Sequence, residues 1–323
     1  MPARVTVGGR LHFGFLNLSL ARSRLYGGIG VALAEPRVSV VARRADSVSA
    51  GSPDVHTYAE RAVELLSVPG VDVEVVESLP PHEGLGSGTQ LALSVLAATA
   101  SAYEKPVKPR EQAPELGRGG RSGVGVAAFE HGGFVVDAGH PTDQFTTSRP
   151  PDGDWRVPPV MSRLAIPTSW RFVLVRPDVA SGRHGEDEEA SIRTVVERAD
   201  QETAEAVADV VTGRLMPAAA AGNLQTFGSA AASLNRLNGS WYADEQGGVY
   251  RPPIGEIVDA LTDDPAVCGA GQSSWGPTVF GVTDVDRAES AREAAWAALK
   301  AAGVDGSVRV VAPNNDGATI ERG

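Results

Sequence analysis

The segment 80–90 places three glycines, Gly84, Gly86 and Gly88, within five residues, directly before an apolar, alanine-rich stretch. Glycines at this density let the backbone curl so that its N–H groups converge. A helix that starts here adds unpaired N–H donors and the positive end of its dipole. The pattern therefore predicts a phosphate-binding turn. A turn that only caps a buried helix is the structural alternative, although a cap requires only one Gly or Ser.

The side chains of this turn set it apart from a P-loop, because Thr89 and Gln90 stand where a P-loop carries lysine after its last glycine. Charge neutralisation must then come from elsewhere in the chain or from a metal ion. The residues expected to hold a phosphate or pyrophosphate are Gly84, Gly86, Ser87, Gly88, Thr89 and Gln90.

Two further pairs of residues are candidates for catalysis. Arg10 and His12 alternate along a predicted strand and so share one face, where they can supply charge to a site. A surface pair on an edge strand is the alternative. Arg121 and Ser122 flank a second glycine cluster, and an arginine there can clamp a carboxylate or phosphate. The alternative for Arg121 is an exposed loop arginine.

A third loop, 268–278, contains a Gly-Ser-rich run around Trp275. Its Trp can wall an aromatic substrate and its hydroxyls can donate to phosphate, or the Trp can simply fill a domain interface. The residues assigned to ligand binding in this loop are Gln272, Ser273, Ser274 and Trp275. Arg183 and His184 precede an acidic helix and are also catalytic candidates, with a surface role as the alternative. Asp137 and His140 are weaker candidates.

The elements that must position these residues fall into two predicted domains, 1–160 and 161–323. The first opens with short strands, and its glycine turn launches a helix that ends near Tyr103. The second combines strands with helices, including a long acidic helix predicted over 188–212 and a further helix over 215–237. The overall prediction is an α+β fold.

Composition limits the classes of function. The 323 residues carry a formal charge of −11, which argues against nonspecific nucleic-acid binding. No apolar run approaches the length that crosses a bilayer, so a membrane role is not expected. A single cysteine, Cys268, excludes an internal disulfide and fits a cytoplasmic protein in which it fills the core.

The order and spacing of the three glycine loops resemble the GHMP superfamily of small-molecule kinases. That resemblance implies a β-rich, ribosomal-protein-S5-like N-terminal domain and a ferredoxin-like C-terminal domain. Two positions depart from the kinase pattern. Gly88 stands where a serine usually helps to hold magnesium, and Gly125 stands where many members carry the aspartate that acts as general base. Phosphoryl transfer is therefore disfavoured, while a phosphate pocket is retained.

Five longer segments resemble the β-ribofuranosylaminobenzene 5′-phosphate synthases of archaeal methanopterin biosynthesis. They read GRLHFGFLNL, YGGIGVAL, GLGSGTQLAL, GRSGVGVAAFEHGGFVVDAGH and GQSSWGPTVFG. The resemblance implies that phosphoribosyl pyrophosphate condenses with 4-aminobenzoate or 4-hydroxybenzoate and releases carbon dioxide and pyrophosphate. It also implies Mg²⁺, no use of ATP, and a homodimer. No acidic pair in the sequence identifies the ligands of the metal. An ATP-dependent kinase and a non-catalytic ligand-binding protein on the same fold are the alternatives.

Overall fold

The computed structural model describes residues 1–146, 148–179 and 186–323, and it combines two β-sheets with helices packed on and between them. The strands are β1 (Ala3–Asn17), β2 (Arg24–Arg44), β3 (Val48–Ala50), β4 (Val71–Glu77), β5 (Phe134–Asp137), β6 (His140–Pro141), β7 (Val160–Leu164), β8 (Trp170–Pro177), β9 (Ala270–Gln272), β10 (Val279–Asp284), β11 (Gly306–Val311) and β12 (Thr319–Arg322). The helices are α1 (Pro53–Leu66), α2 (Ser87–Ala102), α3 (Pro109–Gln112), α4 (Val124–His131), α5 (Glu186–Arg198), α6 (Gln201–Val210), α7 (Met216–Ala221), α8 (Leu224–Trp241), α9 (Ala243–Gln246), α10 (Ile254–Thr262) and α11 (Ala288–Ala301). A π-helical segment, Val211–Leu215, joins α6 to α7.

The first sheet is built around the long antiparallel pair β1 and β2, and its main path runs β12-β1-β2-β4-β3. Strand β5 pairs with both β2 and β7. The register of β1 against β2 shifts between Gly8 and Arg10 and again between His12 and Gly14. A register shift of this kind changes the direction of nearby side chains. The two shifts lie on either side of the stretch of β1 that carries Arg10 and His12.

The second sheet runs β11-β8-β10-β9, and every pair in it is antiparallel. Helix α8 connects the two sheets, because its Phe227 is fully buried among rings from both. The Phe227 centroid lies 5.4 Å from that of Phe134 on β5 and 4.9 Å from that of Trp170 on β8. Burial of rings of this size is a major contribution to stability. The hydrophobic core thus continues from one sheet to the other through this helix.

Two long helices expected from the sequence are each divided in the structure. The helix predicted over 188–212 is wrong as a single element, because α5 ends at Arg198 and Asp200 adopts an extended backbone whose side chain caps α6. Its carboxylate accepts from the Thr203 N–H at 2.6 Å. The helix predicted over 215–237 is interrupted in the same way. Gly222 ends α7 in the left-handed region and Asn223 caps α8.

The two sheets do not follow the two halves of the sequence. Strand β7 straddles the predicted boundary at residue 160 and belongs to the first sheet. The four-residue strand β12, near residue 323, pairs with β1. The boundary itself stays a prediction. Cys268 is buried and forms no disulfide. None of the described helices is long and apolar enough to cross a bilayer.

Candidate active site

The glycine-rich turn forms the open N-terminus of α2. Gly84 and Gly86 both have a φ of 79°, in the left-handed region that favours glycine. The first helical hydrogen bond runs from the Gln90 N–H to the Gly86 carbonyl, and no described side chain caps this end of the helix. The N–H groups of the first turn therefore remain as donors beside the positive end of the helix dipole. This arrangement suits a phosphate group.

Guanidinium groups border the same turn. Arg10 donates from Nη1 to the Gly84 carbonyl, and its side chain lies 3.2 Å from where a Cβ at Gly86 would stand. Arg118 lies beside the first turn of α2, since a Cβ at Gly88 would be 2.9 Å from its guanidinium carbon. The Arg118 group also lies over the ring of Tyr58, 5.3 Å from its centroid. Arginines thus provide the positive charge that a P-loop takes from lysine.

The third loop packs backbone to backbone against the turn. A Cβ at Gly84 would lie 2.1 Å from the Ser273 carbonyl oxygen, so no larger residue fits there. The Ser273 hydroxyl donates to the Gly84 carbonyl at 2.7 Å and accepts from the His12 N–H at 3.1 Å. Ser273 is fully buried. Its hydroxyl therefore ties β1 to the glycine turn, and its predicted contact with phosphate stays a prediction.

Gln90 and Thr89 use their side chains to join α2 to α4. Gln90 Nε2 donates to the Gly125 carbonyl at 2.9 Å, and a Cβ at Gly125 would lie 3.2 Å from the Thr89 methyl carbon. Gly125, where many kinases of the resembled superfamily carry an aspartate, is thus a site of close helix packing. The structure gives Gln90 and Thr89 this packing role in addition to their position at the turn.

His12, Ser122 and Asp137 form a hydrogen-bonded chain. His12 Nε2 lies 3.2 Å from Ser122 Oγ, and Ser122 Oγ lies 3.2 Å from Asp137 Oδ2. Backbone N–H groups also hold the carboxylate, from Gly123 at 2.7 Å and from Gly139 at 2.9 Å. The chain thus runs from the end of β5, through the second glycine cluster, to β1.

Burial shifts the pKa values at both ends of this chain. Desolvation raises the pKa of Asp137 to about 6, although its hydrogen bonds oppose the shift. Desolvation, together with the charges of Arg10 and Arg121, holds the pKa of His12 well below its ordinary value. At neutral pH the imidazole is therefore neutral and the carboxyl is mostly ionised. The effect on His12 also places Arg121 near the ring.

His12 also lines an aromatic pocket between β1, α8 and the third loop. Trp275 and Tyr242 pack edge to face, with centroids 4.7 Å apart, and Phe15 lies 4.9 Å from the His12 ring. The aromatic residues that line this pocket are His12, Phe13, Phe15, Tyr242, Tyr250 and Trp275. Its polar side chains belong to Asn235, Asn238, Gln246, Gln272 and Ser274. A cavity with this lining suits a flat aromatic ligand.

Two asparagines of α8 fix the walls of this pocket. Asn238 accepts from the Phe15 N–H at 2.7 Å and donates to the Phe15 carbonyl. Asn235 bonds in the same two-way manner to Gln272, with both distances 2.8 Å. A Cβ at Gly14 would lie 2.5 Å from the Asn238 side chain, so the glycine admits the amide. These amides are used as structural links rather than as ligand contacts.

The structure brings most of the predicted residues to one place. Arg10 bonds the glycine turn, and Ser122 and Arg121 act on His12. The pocket is lined by His12, Gln272, Ser274 and Trp275 among others. Arg183 and His184 lie outside the described residues. Their assignment as catalytic residues stays a prediction.

Three residues of the site were not predicted from the sequence, or were only weak candidates. Arg118 was not selected, although it stands three residues before Arg121 in the same glycine cluster. Asp137 was a weak candidate, yet it anchors the hydrogen-bonded chain. A Cβ at Gly28 would lie 2.0 Å from Ser122 Oγ, so this glycine of the YGGIG segment makes room for the chain. Its place between two other glycines was the available signal.

The donors at this site do not fit a metal ion held by the protein. Mg²⁺ prefers oxygen ligands such as carboxylates, whereas the turn is bordered by guanidinium groups. Within the described ranges no group of three or more His, Cys, Asp or Glu side chains is placed to hold a metal. Glu83, the carboxylate of the turn, is paired with Arg176 at 3.2 Å. No step below therefore depends on a metal, and the expected Mg²⁺ stays a prediction.

Comparison with known proteins gives the same architecture from both halves of the chain. Residues 55–133 match the family model of the GHMP kinases N terminal domain, and residues 215–302 match that of the GHMP kinases C terminal. A homoserine kinase from Cytophaga hutchinsonii superposes with a TM-score of 0.67 over 99% of this chain and 97% of its own, at 17% identity. A galactokinase from Lactococcus lactis gives 0.69 over 98% and 95%, at 12% identity. The predicted fold class is confirmed.

Sequence comparison identifies nearer relatives. The β-ribofuranosylphenol 5′-phosphate synthase of Methanothermobacter thermautotrophicus is 32% identical over 87% of this chain and 88% of its own length. The synthase of the same name from Archaeoglobus fulgidus is also 32% identical, over 87% and 88%. Identity at this level over nearly the whole length confirms the resemblance found in the motifs. The chain belongs to the β-ribofuranosylphenol 5′-phosphate synthase family, a group of enzymes on the fold of the GHMP kinases.

Proposed function

We propose that this enzyme transfers the ribosyl phosphate group of phosphoribosyl pyrophosphate to a para-substituted benzoate, with loss of carbon dioxide and pyrophosphate. One observation carries the proposal: the Ser273 hydroxyl bonds both the His12 N–H and the Gly84 carbonyl of the phosphate turn, and His12 also lines the aromatic pocket. A kinase needs the phosphate turn. A sugar–arene condensation needs both the turn and the pocket.

The proposed donor occupies the glycine turn. The N-terminus of α2, Arg10 and Arg118 hold its anionic groups, and their charge favours departure of pyrophosphate. Departure leaves positive charge on the anomeric carbon of the ribose. This step requires fixed positive charge at the leaving group rather than a strong base, which agrees with glycine at position 125.

The proposed acceptor occupies the aromatic pocket. The ring carbon that bears the carboxylate attacks the anomeric carbon, forming the new C–C bond, and the carboxyl group then leaves as carbon dioxide and restores aromaticity. A hydroxyl or amino group in the para position donates electrons to that carbon. Walls formed by Phe15, Tyr242 and Trp275 hold the ring and exclude water from the cation.

We propose 4-hydroxybenzoate as the preferred acceptor, because the two relatives are named for a ribofuranosylphenol. 4-Aminobenzoate is the second candidate, since its para group donates electrons in the same way. Mg²⁺ entering with the pyrophosphate, a homodimeric state and a role in methanopterin biosynthesis remain expectations from the sequence.

The test is an assay of the purified protein with phosphoribosyl pyrophosphate, with and without Mg²⁺, and each benzoate, measuring release of carbon dioxide and pyrophosphate. We expect equal molar release of both products, fastest with 4-hydroxybenzoate. A parallel arm replaces the donor by ATP and supplies homoserine, mevalonate or galactose. ATP turnover on one of these alcohols, with no release from either benzoate, would assign the protein to the kinases. Binding of both substrates without any turnover would identify a ligand-binding protein.

A further inference from the structure

The geometry points to Asp137 as a positioning residue that acts through Ser122 to hold His12 with its proton on Nε2, leaving Nδ1 as a hydrogen-bond acceptor for the bound substrates. The inference rests on the proposed function for the identity of those substrates. The hydrogen-bonded chain itself does not depend on it.

The number of protons in the chain decides the direction of each bond. An ionised carboxylate only accepts, so the single Ser122 hydroxyl proton points to Asp137 Oδ2, 3.2 Å away. Ser122 Oγ can then only accept from His12 Nε2, also at 3.2 Å. Because the low pKa of His12 leaves one proton on the ring, that proton lies on Nε2 and Nδ1 carries a lone pair. The tautomer thus follows from the ionised state of Asp137.

The surroundings keep this arrangement in one geometry. Backbone N–H groups of Gly123 and Gly139 hold the two carboxylate oxygens, and the Val124 N–H donates to Ser122 Oγ at 3.2 Å. His12 is 5% exposed, and its ring lies against Phe15. None of these contacts includes a residue of the glycine turn at 84–88. The hydrogen-bonded chain therefore acts on the imidazole of His12.

The lone pair of His12 Nδ1 selects a donor on the substrate, because His12 lines the aromatic pocket and its other ring nitrogen, Nε2, is the one that contacts Ser122. Donors of this kind are the para hydroxyl or amino group of the ring and the hydroxyls of the ribose. A bond from the para group increases its electron donation to the attacking carbon. A bond from a ribose hydroxyl fixes the sugar against the ring.

Protonation of Asp137 reverses the direction of both hydrogen bonds in the chain from Asp137 to His12. A neutral carboxyl donates to Ser122, Ser122 then donates to His12 Nε2, and the ring proton moves to Nδ1. Burial places this change near pH 6. The charged groups that act on His12 are Arg10 and Arg121, and both stay positive over this range. We therefore expect kcat to fall on the acid side with an apparent pKa of about 6.

The first test measures the tautomer without any substrate. Nitrogen-15 NMR of the full-length protein at neutral pH is expected to show His12 with a protonated Nε2 and an unprotonated Nδ1. The His12→Gln variant assigns the signal among the six histidines of the chain. A proton on Nδ1 at neutral pH would overturn the inference. Because no turnover is involved, this result stands or falls apart from the proposed function.

The second test uses Ser122→Ala, which breaks the link and leaves the backbone contacts of Asp137 in place. We expect kcat to fall about tenfold, the size of one lost hydrogen bond, with the KM for phosphoribosyl pyrophosphate unchanged. The acid limb near pH 6 should disappear. Asp137→Asn should lower kcat likewise, and Asp143→Asn, on an exposed residue, should not. An unchanged kcat and pH profile in Ser122→Ala would overturn the inference.

Three acceptors distinguish the two sources of the donor. 4-Methoxybenzoate keeps an electron-donating para group but has no proton to donate. If the ring donates to Nδ1, Ser122→Ala slows the reaction with 4-hydroxybenzoate and 4-aminobenzoate but not with 4-methoxybenzoate. If the ribose donates, the reaction slows equally with all three. Either pattern supports the positioning role, and no slowing with any acceptor contradicts it.

Discussion

The glycine turn and the aromatic pocket both adjoin His12 and are built in opposite ways. The turn presents main-chain N–H groups and arginines, and its own side chains are small. The pocket is lined by aromatic residues from distant parts of the sequence. The backbone polar groups of its walls are hydrogen-bonded to the side chains of Asn235 and Asn238. Backbone N–H groups and arginine side chains thus bind the charged part of the ligand, whereas packed side chains determine the shape of the pocket.

This difference explains how a kinase fold can acquire another reaction. The turn recognises a phosphate whatever lies beyond it, because its donors belong to the main chain. The chemistry then depends on what faces the phosphate. In this chain Gly125 brings α4 against Thr89, and the third loop contributes Trp275 to an aromatic wall. Compared with the kinase pattern, the general base at position 125 is absent, and an aromatic pocket that includes Trp275 is present.

The largest effect is expected from a negative charge in the turn. Gly88→Asp places a carboxylate beside Arg118, whose guanidinium carbon lies 2.9 Å from the new Cβ. The carboxylate neutralises the arginine and repels the donor. We expect the KM for phosphoribosyl pyrophosphate to rise about a hundredfold, with the KM for the benzoate unchanged. Initial rates at varied donor concentration measure the change.

Gly88→Ser is the matched control, because it adds the same Cβ without charge and introduces the serine that the resembled kinases usually carry there. Its KM for the donor should rise much less than that of Gly88→Asp, since the end of Arg118 can shift. Equal losses in the two variants would show that space, not charge, governs the turn. If neither variant raised the KM for the donor, the donor would bind elsewhere than at the glycine turn.

The next effect tests the pocket separately from the turn. Trp275→Leu removes the ring that packs on Tyr242 at 4.7 Å. We expect the KM for the benzoate to rise about thirtyfold, equivalent to about 2 kcal/mol, with the donor KM unchanged. Trp296→Leu is the control, because Trp296 lies on α11 with 44% of its surface exposed. A rise in the donor KM alone would contradict the division of the site into two halves.

The same difference decides how much the sequence could predict. The turn was predictable from glycine spacing, since a local backbone shape needs only a local pattern. Arg118 was not, because its contact with Gly88 joins segments 30 residues apart and no spacing rule links them. The pocket was less predictable still. Phe15 lies more than 200 residues before Tyr242 and Tyr250 in the sequence, and of the aromatic residues that line the pocket only His12 and Trp275 were predicted to belong to the site.

The fold shows the same limit. The long strand pair β1 and β2 was expected only as shorter pieces, because glycines that interrupt a pattern can also sit in bulges of one continuous strand. The breaks at Asp200 and Gly222 were missed because the helical periodicity continues across them. Strand β12 was missed as well, since its partner β1 lies at the other end of the sequence.

A smaller effect concerns stability and the charge of Asp137. Burial raises its pKa from 3.8 to about 6, so the folded protein binds this proton more tightly than the unfolded chain does. The contribution of Asp137 to the free energy of unfolding therefore increases as pH falls through 6. Between about pH 7.5 and about pH 5 the gain is about 1.4 kcal/mol. Asp137→Asn should lack it.

Urea unfolding of both proteins at the two pH values measures this difference. His12 has a lowered pKa and so destabilises the fold as pH falls, but it does so in both proteins and cancels in the comparison. A wild-type protein that gains no stability relative to Asp137→Asn on acidification would show that Asp137 is not shielded from water as the structure has it.

The smallest effect concerns the link between the turn and the second sheet. Arg176 on β8 donates to both carboxylate oxygens of Glu83 at 3.2 Å, with side chains 30% and 19% exposed. Partial exposure screens such a pair, so Glu83→Gln should lower the free energy of unfolding by less than about 1 kcal/mol. Because Glu83 precedes Gly84, we also expect the donor KM to rise about two- to threefold. Glu77→Gln, which breaks the more exposed pair with Arg37, should change neither quantity. If Glu83→Gln instead raised the KM for the benzoate, the pocket would depend on the turn, and the two halves of the site would not be independent.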